Sequence, residues 1–195
     1  MKGIEVEKTR NFGLFGHGGT GKTTLAEALL FNGGEVSRLG SVDQGNSILD
    51  SDPDEISRKI SINLAIAYFP WKDHWVNFVD TPGYADFVGD MYSGIRVVDG
   101  AVILVDGLSG VEVGTERVFQ SARGEGLPVL LFVNKMLKEN SDFYRSLEMS
   151  KESFGSEVVP LQLPIGSSLN FQGVVDLLKM KGYRYQDGKG IEEPL

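Results

Sequence analysis

Cysteine is absent from all 195 residues, which excludes a disulfide scaffold and any thiolate-ligated metal site. That absence fits a reducing compartment, and the expected location is cytoplasmic. Basic charge is short: 19 Lys and Arg against 27 Asp and Glu give a formal net charge of -8. An acidic surface argues against broad phosphate-driven binding to nucleic acid, and no sequence-specific DNA binding is expected. No apolar run reaches the length of a membrane span, and the opening MKGIEVEKTR lacks the apolar core of a signal peptide, so no membrane attachment is expected. Internal repeats and low-complexity tracts are missing too. What is present is ordinary globular usage, 41% hydrophobic and 24% charged, with length enough for a sizeable core.

The most informative stretch is NFGLFGHGGTGKTTLAEALL, from Asn11 to Leu30. It runs from a short apolar segment through a glycine-dense loop into an amphipathic helix pattern. Gly16, Gly21, Lys22 and Thr23 fill the G-x-x-x-x-G-K-[ST] template of a phosphate-binding loop. Gly16, Gly18, Gly19 and Gly21, with His17 and Thr20 between them, give a backbone whose N–H groups can turn inward onto phosphate oxygens. Lys22 brings a full positive charge to the β- and γ-phosphates. Thr23 offers a hydroxyl to Mg²⁺, and Thr24 continues into a helix whose positive dipole end faces the same anion.

After this helix, Gly33 to Lys59 is rich in Gly, Ser, Asp and Asn and reads as a long loop of the kind a nucleotide-sensing switch needs. Ile60 to Phe69 alternates as a strand. Trp71 and Trp75 bracket the polar turn Lys72-Asp73-His74, and Val76 to Val79 returns as the second strand of a hairpin. His74, a lone histidine at the tip, reads as solvated. From Pro82 helices alternate with the apolar strands AVILVD and PVLLFVN, which suit parallel strands covered on both faces. Helix is expected from about Ser141 to Phe154, strand from Val158 to Ile165 and helix from Val174 to Met180. The expected class is α/β: a P-loop, doubly wound, mostly parallel sheet with helices on both faces and one antiparallel hairpin strand.

Two further motifs end strands. Asp80-Thr81-Pro82-Gly83 places a carboxylate where it can hold Mg²⁺ through water, and Gly83 where its N–H can meet a γ-phosphate. Alone, D-x-P-G is turn chemistry; after a phosphate loop, ligand binding is the stronger reading. Asn134-Lys135 ends PVLLFVN and resembles the start of the N-K-x-D signature that reads guanine, but Leu137 stands at the carboxylate position.

These motifs, in order with LGSVDQGNSILD, RKISI, DTPGYADFVGD, VVDGAVILVDGLSGVEVGTERV, VNKMLKENSDF and VVPLQLPIG, resemble the G domain of the translation elongation factor G family, and more closely its elongation-factor-G-like paralogues. The resemblance implies GTP and GDP as ligands, Mg²⁺ as cofactor, GTP hydrolysis as the reaction and the ribosome as partner. It implies that Thr23, Ser61 and, through water, Asp80 serve the metal, with Ser61 at the position of a family Thr and Lys59 at that of a family Gly. Tyr84 stands where the family carries a water-orienting histidine, and Gly19 where Asp is common. With Lys22, Tyr84 is the expected catalytic residue. The resemblance also divides the chain into a GTP-binding core, residues 1–160, and the start of an inserted subdomain, residues 161–195, with the base-closing loop beyond. Against this stands the reading of Gly166-Ser167-Ser168 as that loop. A monomer is expected. Two other functions fit the same residues: a ribosome-docking module that binds nucleotide weakly or not at all, and a P-loop nucleotide hydrolase with relaxed base choice.

Overall fold

The computed structural model describes residues 5–186 and 189–194. Residues 1–4, 187–188 and 195, which belong to the segments 1–160 and 161–195, lie outside the described residues. Strands β1 (Thr9–Gly16), β2 (Ala65–Trp71), β3 (His74–Asp80), β4 (Gly100–Asp106) and β5 (Val129–Asn134) form one sheet in the order β2-β3-β1-β4-β5. β1 runs parallel to β3 and β4, whereas β2 pairs antiparallel to β3 through the hairpin. The helices are α1 (Lys22–Asn32), α2 (Pro53–Arg58), α3 (Val88–Ile95), α4 (Val113–Gly124) and α5 (Phe143–Phe154).

The chain divides into two compact units, one of residues 1–104 and 113–132, the other of residues 105–112 and 133–195. In the first, neighbouring strand residues point to opposite faces and build two cores. Phe15, Val79 and Ile103 pack with Met91 and Ile95 of α3 and with Val118 and Ala122 of α4. Leu14, Phe78 and Leu104 pack with Ala26 and Leu30 of α1. A core on each face is the doubly wound layering expected from apolar strands with no polar side. It carries the carboxyl ends of β1 and β3 to the same edge, where Leu14 pairs with Asp80.

The second unit holds α5 and a four-stranded antiparallel sheet in the order β6 (Gln162–Ile165), β7 (Gly173–Asp176), β8 (Lys181–Gln186), β9 (Lys189–Pro194). Lys181–Glu192 and Arg184–Glu193 ion pairs join its last two strands. α5 starts at Asp142, whose carboxylate accepts the amides of Tyr144 and Arg145 at 2.9 and 3.1 Å.

Several local expectations are corrected. Val174 to Met180 is not a helix: its β-branched start is β7, and the Asp176 carboxylate accepts the amides of Leu178 and Lys179 in a turn. The expected strand over 158–165 is limited to β6. The loop 33–59 contains α2, because Asp52 caps it, Pro53 opens it and Glu55 closes a capping box. The strand expected from Ile60 begins only at Ala65; the amides of Ile62 and Asn63 go to Glu55, and that of Leu64 to Asp90. Ser61 is therefore a loop residue. Lys59 adopts φ 56, the left-handed region that favours glycine. His74 is half-buried at the start of β3, 3.2 Å from an Arg10 guanidinium nitrogen, and the turn itself is Lys72-Asp73.

Candidate functional site

The loop from Gly16 to Gly21 joins the end of β1 to the start of α1. Gly16 has φ 140, and a Cβ on it would lie 2.6 Å from the Leu104 carbonyl oxygen. Gly21, the N-cap of α1, has φ 94. Both positions reject a side chain, which is why the loop can turn so tightly. Thr20 is buried and donates its hydroxyl to the His17 carbonyl at 3.0 Å. Lys22 is only 5% exposed, and its ammonium donates to the carbonyls of Gly16 and His17 at 3.2 and 2.9 Å. Gly18 and Gly19 form the outer bend, and Thr24 is exposed on the first turn of α1.

The turn after β3 closes on this loop. A Cβ on Gly83 would lie 2.3 Å from Lys22 Nζ and 2.8 Å from the Gly18 nitrogen, so only glycine allows the approach. The Tyr84 ring lies against Gly18, where an added Cβ would meet it at 2.9 Å, and the residue is 43% exposed. Asp80 is buried beside Thr23 and Lys22. Burial, then the nearby negative charges of Asp50 and Glu27, push its pKa up to about 7 against the opposing hydrogen bond from Thr23 and the charge of Lys22.

The segment 40–63 contributes the rest. The Thr23 and Ser61 hydroxyls are hydrogen-bonded at 2.9 Å. Asp50 is 4% exposed; burial raises its pKa, the Ser61 hydrogen bond counters it, and Glu55 and Glu27 raise it further. Asp80 Oδ1 and Asp50 Oδ2 are buried oxygens with no hydrogen-bond partner. Two hydroxyls and two such carboxylates are the hard oxygen donors that Mg²⁺ takes, so the residues fit that ion. Among the described residues no three His, Cys, Asp or Glu side chains form a metal cluster. A cation here therefore requires oxygens from water or phosphate as well, which is the usual Mg²⁺ arrangement. Sequence reading identified Lys22, Thr23, Ser61 and Asp80, which the fold brings together, and missed Asp50. Its only signal was the run of acidic residues in the loop.

In the second unit, Asn134 ends β5 and its carbonyl accepts the Gly107 amide at 2.8 Å. Lys135 follows with φ 60 and donates to Asp106 Oδ2 at 2.6 Å. Burial acts to raise the Asp106 pKa, but the hydrogen bonds from Lys135 and the Leu108 amide outweigh it and hold the carboxyl below its ordinary range. Leu137 is 61% exposed. Asp106 was not among the residues expected from the motifs.

The pattern of the "Elongation factor Tu GTP binding domain" family matches residues 7–184. Over 189 residues the chain is 41% identical to elongation factor G of Ureaplasma parvum serovar 3, covering 97% of this chain and 27% of that protein. It is 39% identical over 192 residues to elongation factor G of Thermotoga petrophila, covering 97% and 28%. A crystal structure of a Thermus thermophilus protein superposes with a TM-score of 0.90 at 35% identity, covering 95% of this chain and 28% of that one.

Proposed function

The chain belongs to the elongation factor Tu GTP-binding domain family, and from that premise we propose that it binds GTP and GDP with Mg²⁺ and hydrolyses GTP to GDP and phosphate. The carrying observation is that Ser61 and Asp80, distant in sequence from Lys22-Thr23, lie beside them at the mouth of the glycine loop. Lys22 exchanges two backbone carbonyls for the β- and γ-phosphate oxygens, where its charge stabilises the transferring group. The backbone from Gly16 through Thr24 supplies N–H donors, and Gly83 adds one from the opposite side. Thr23, Ser61 and Asp80 would hold Mg²⁺, Asp80 through water, and the ion when bound would neutralise phosphate charge. Tyr84 orients the attacking water through its hydroxyl.

The relatives named elongation factor G support a wider reading: a translation factor working on the ribosome in the cytoplasm, with this chain as a monomeric nucleotide-binding part. The chain spans 27% of the Ureaplasma relative's length. In that reading residues 1–160 are the core and 161–195 begin an inserted subdomain. The likeness of Asn134-Lys135 to the start of N-K-x-D assigns these two residues to reading the base. One observation favours relaxed base choice: Leu137 is exposed and apolar, and of the two carboxylates that follow it Asp142 caps α5, which leaves the exposed Glu139 as the rival acceptor.

Titration with GDP, GTP, ATP and ITP in Mg²⁺, with phosphate release followed, tests this reading. Nucleotide binding is expected in the parent and a loss of about a hundredfold or more in Lys22→Ala, with turnover of the isolated chain below about 1 s⁻¹. Equal affinity of parent and Lys22→Ala for GDP would overturn it.

A further inference from the structure

Two buried glutamates outside the phosphate loop have no place in the chemistry above. Glu27 is 0% exposed and Glu55 is 3% exposed. Glu27 sits one turn beyond Thr23 on α1, so the same helix face carries both. Its Oε1 accepts the Ser47 hydroxyl and the Ile48 amide, both at 2.6 Å, and the Leu49 amide at 3.4 Å. Ser47 Oγ then accepts the amides of Leu49 and Asp50 at 3.2 Å. The chain passes so close over this carboxylate that a Cβ on Gly40 would lie 2.3 Å from its Oε2. Glu55 does the same at the other end: Oε1 accepts the amides of Ile62 and Asn63 at 2.9 and 3.0 Å, and Oε2 that of Asp52 at 3.1 Å.

We infer that Glu27 and Glu55 are positioning residues that hold Asp50 and Ser61 beside Thr23 by accepting the backbone amides at the two ends of segment 47–63. Leu49 packs against the core beneath α1, but Ile48 and Ile56 are exposed, so anionic acceptors with several N–H donors each add to the apolar contact in fixing the path. Both act through other residues. Glu27 sets the backbone of Asp50 through Ser47, and Glu55 sets the backbone just after Ser61. Both clamps are made by the chain's own residues and ask nothing of a ligand. The metal-facing part of this inference rests on the proposed roles of Thr23, Ser61 and Asp80.

The test has two arms, both on the 195-residue chain. Amide hydrogen exchange on the nucleotide-free protein reads the clamps directly. Glu27→Ala is expected to lose at least about tenfold protection at Ile48 and Leu49, and Glu55→Ala as much at Ile62 and Asn63. Glu27→Gln, which keeps the accepting oxygen, is expected to restore most of it. The second arm measures Mg²⁺ affinity of the GDP-loaded chain beside GDP affinity in EDTA. Each alanine variant is expected to weaken Mg²⁺ by about tenfold while leaving Mg²⁺-free GDP affinity within about twofold. A variant that merely loosened the fold would lower both affinities together, and that result overturns the inference, as does unchanged protection. If Glu27→Ala does not fold, Ser47→Ala breaks the same link at its donor and must show the same split. A parent chain that binds GDP no better with Mg²⁺ than in EDTA would sink the functional reading instead, leaving the exchange arm to judge the clamps.

Discussion

An exposed leucine between a left-handed lysine and a helix cap is an unusual neighbour for a base-reading signature. Leu137 offers no acceptor, Lys135 is held by Asp106, and Asp142 is committed to the first turn of α5. The proposed phosphate contacts use none of these residues, so affinity is expected to come from the phosphate end, with GTP and ITP nearly equivalent. Leu137→Asp adds an acceptor for the guanine 2-amino group, which inosine lacks. A charged hydrogen bond of about 1.5–3 kcal/mol makes GTP preferred over ITP by tenfold or more. Competition titration of the two nucleotides against parent and variant measures it, and an already large preference in the parent would contradict the account. Lys22, Thr23 and Asp80 were legible because motif spacing names them, and Ser61 only through the resemblance of RKISI to the family segment. Asp50, Glu27 and Glu55 were not, because their roles depend on where an irregular loop folds back, and no periodicity encodes that path.

Elements with long apolar runs or helical spacing lie where expected, whereas the alternation from Ile60 becomes a strand only at Ala65 and elements defined by caps and turns were not read. β1, β4, β5 and α5 carry apolar runs or helical spacing, and each lies where expected, to within a few residues. α2 is six residues long, too short for a periodic signal, yet Asp52-Pro53-Asp54-Glu55 is a capping signature visible in the sequence. β7 failed in the opposite sense: Val174 and Val175 suit a strand, but the following Leu177-Leu178 spacing imitates a helix. The weight of the cap is measurable. Asp52→Ala removes the acceptor for the Asp54 amide at 2.8 Å and is expected to cost about 1 kcal/mol in urea denaturation, with the loss smaller for Asp52→Asn. No difference between the two substitutions would show that the cap contributes nothing.

Charge acts on the molecule as a whole. Against a formal charge of -8 at neutral pH, the Lys135–Asp106 pair neutralises a carboxylate that is largely shielded from solvent. Asp106 has its pKa depressed below the ordinary 3.8 in the folded chain. A group depressed on folding stabilises above its unfolded pKa, and the contribution disappears as pH falls through the folded value. Lys135→Met is therefore expected to lose about 1–3 kcal/mol at pH 7. The gap between variant and parent should close as the pH drops below about 4. Denaturation at pH 7, 5 and 3 checks the sign, and a gap that widens in acid would refute it. The strand order bears on a different matter, the behaviour of many copies together. β2 lies at the margin of the five-stranded sheet with Ile66 71% exposed and Tyr68 47% exposed, a profile that invites another chain to add on. Pro70 interrupts that invitation, since a ring nitrogen has no hydrogen to offer an incoming strand. Pro70→Val should therefore leave nucleotide binding intact and make light scattering rise with concentration, a self-association that the single proline holds off.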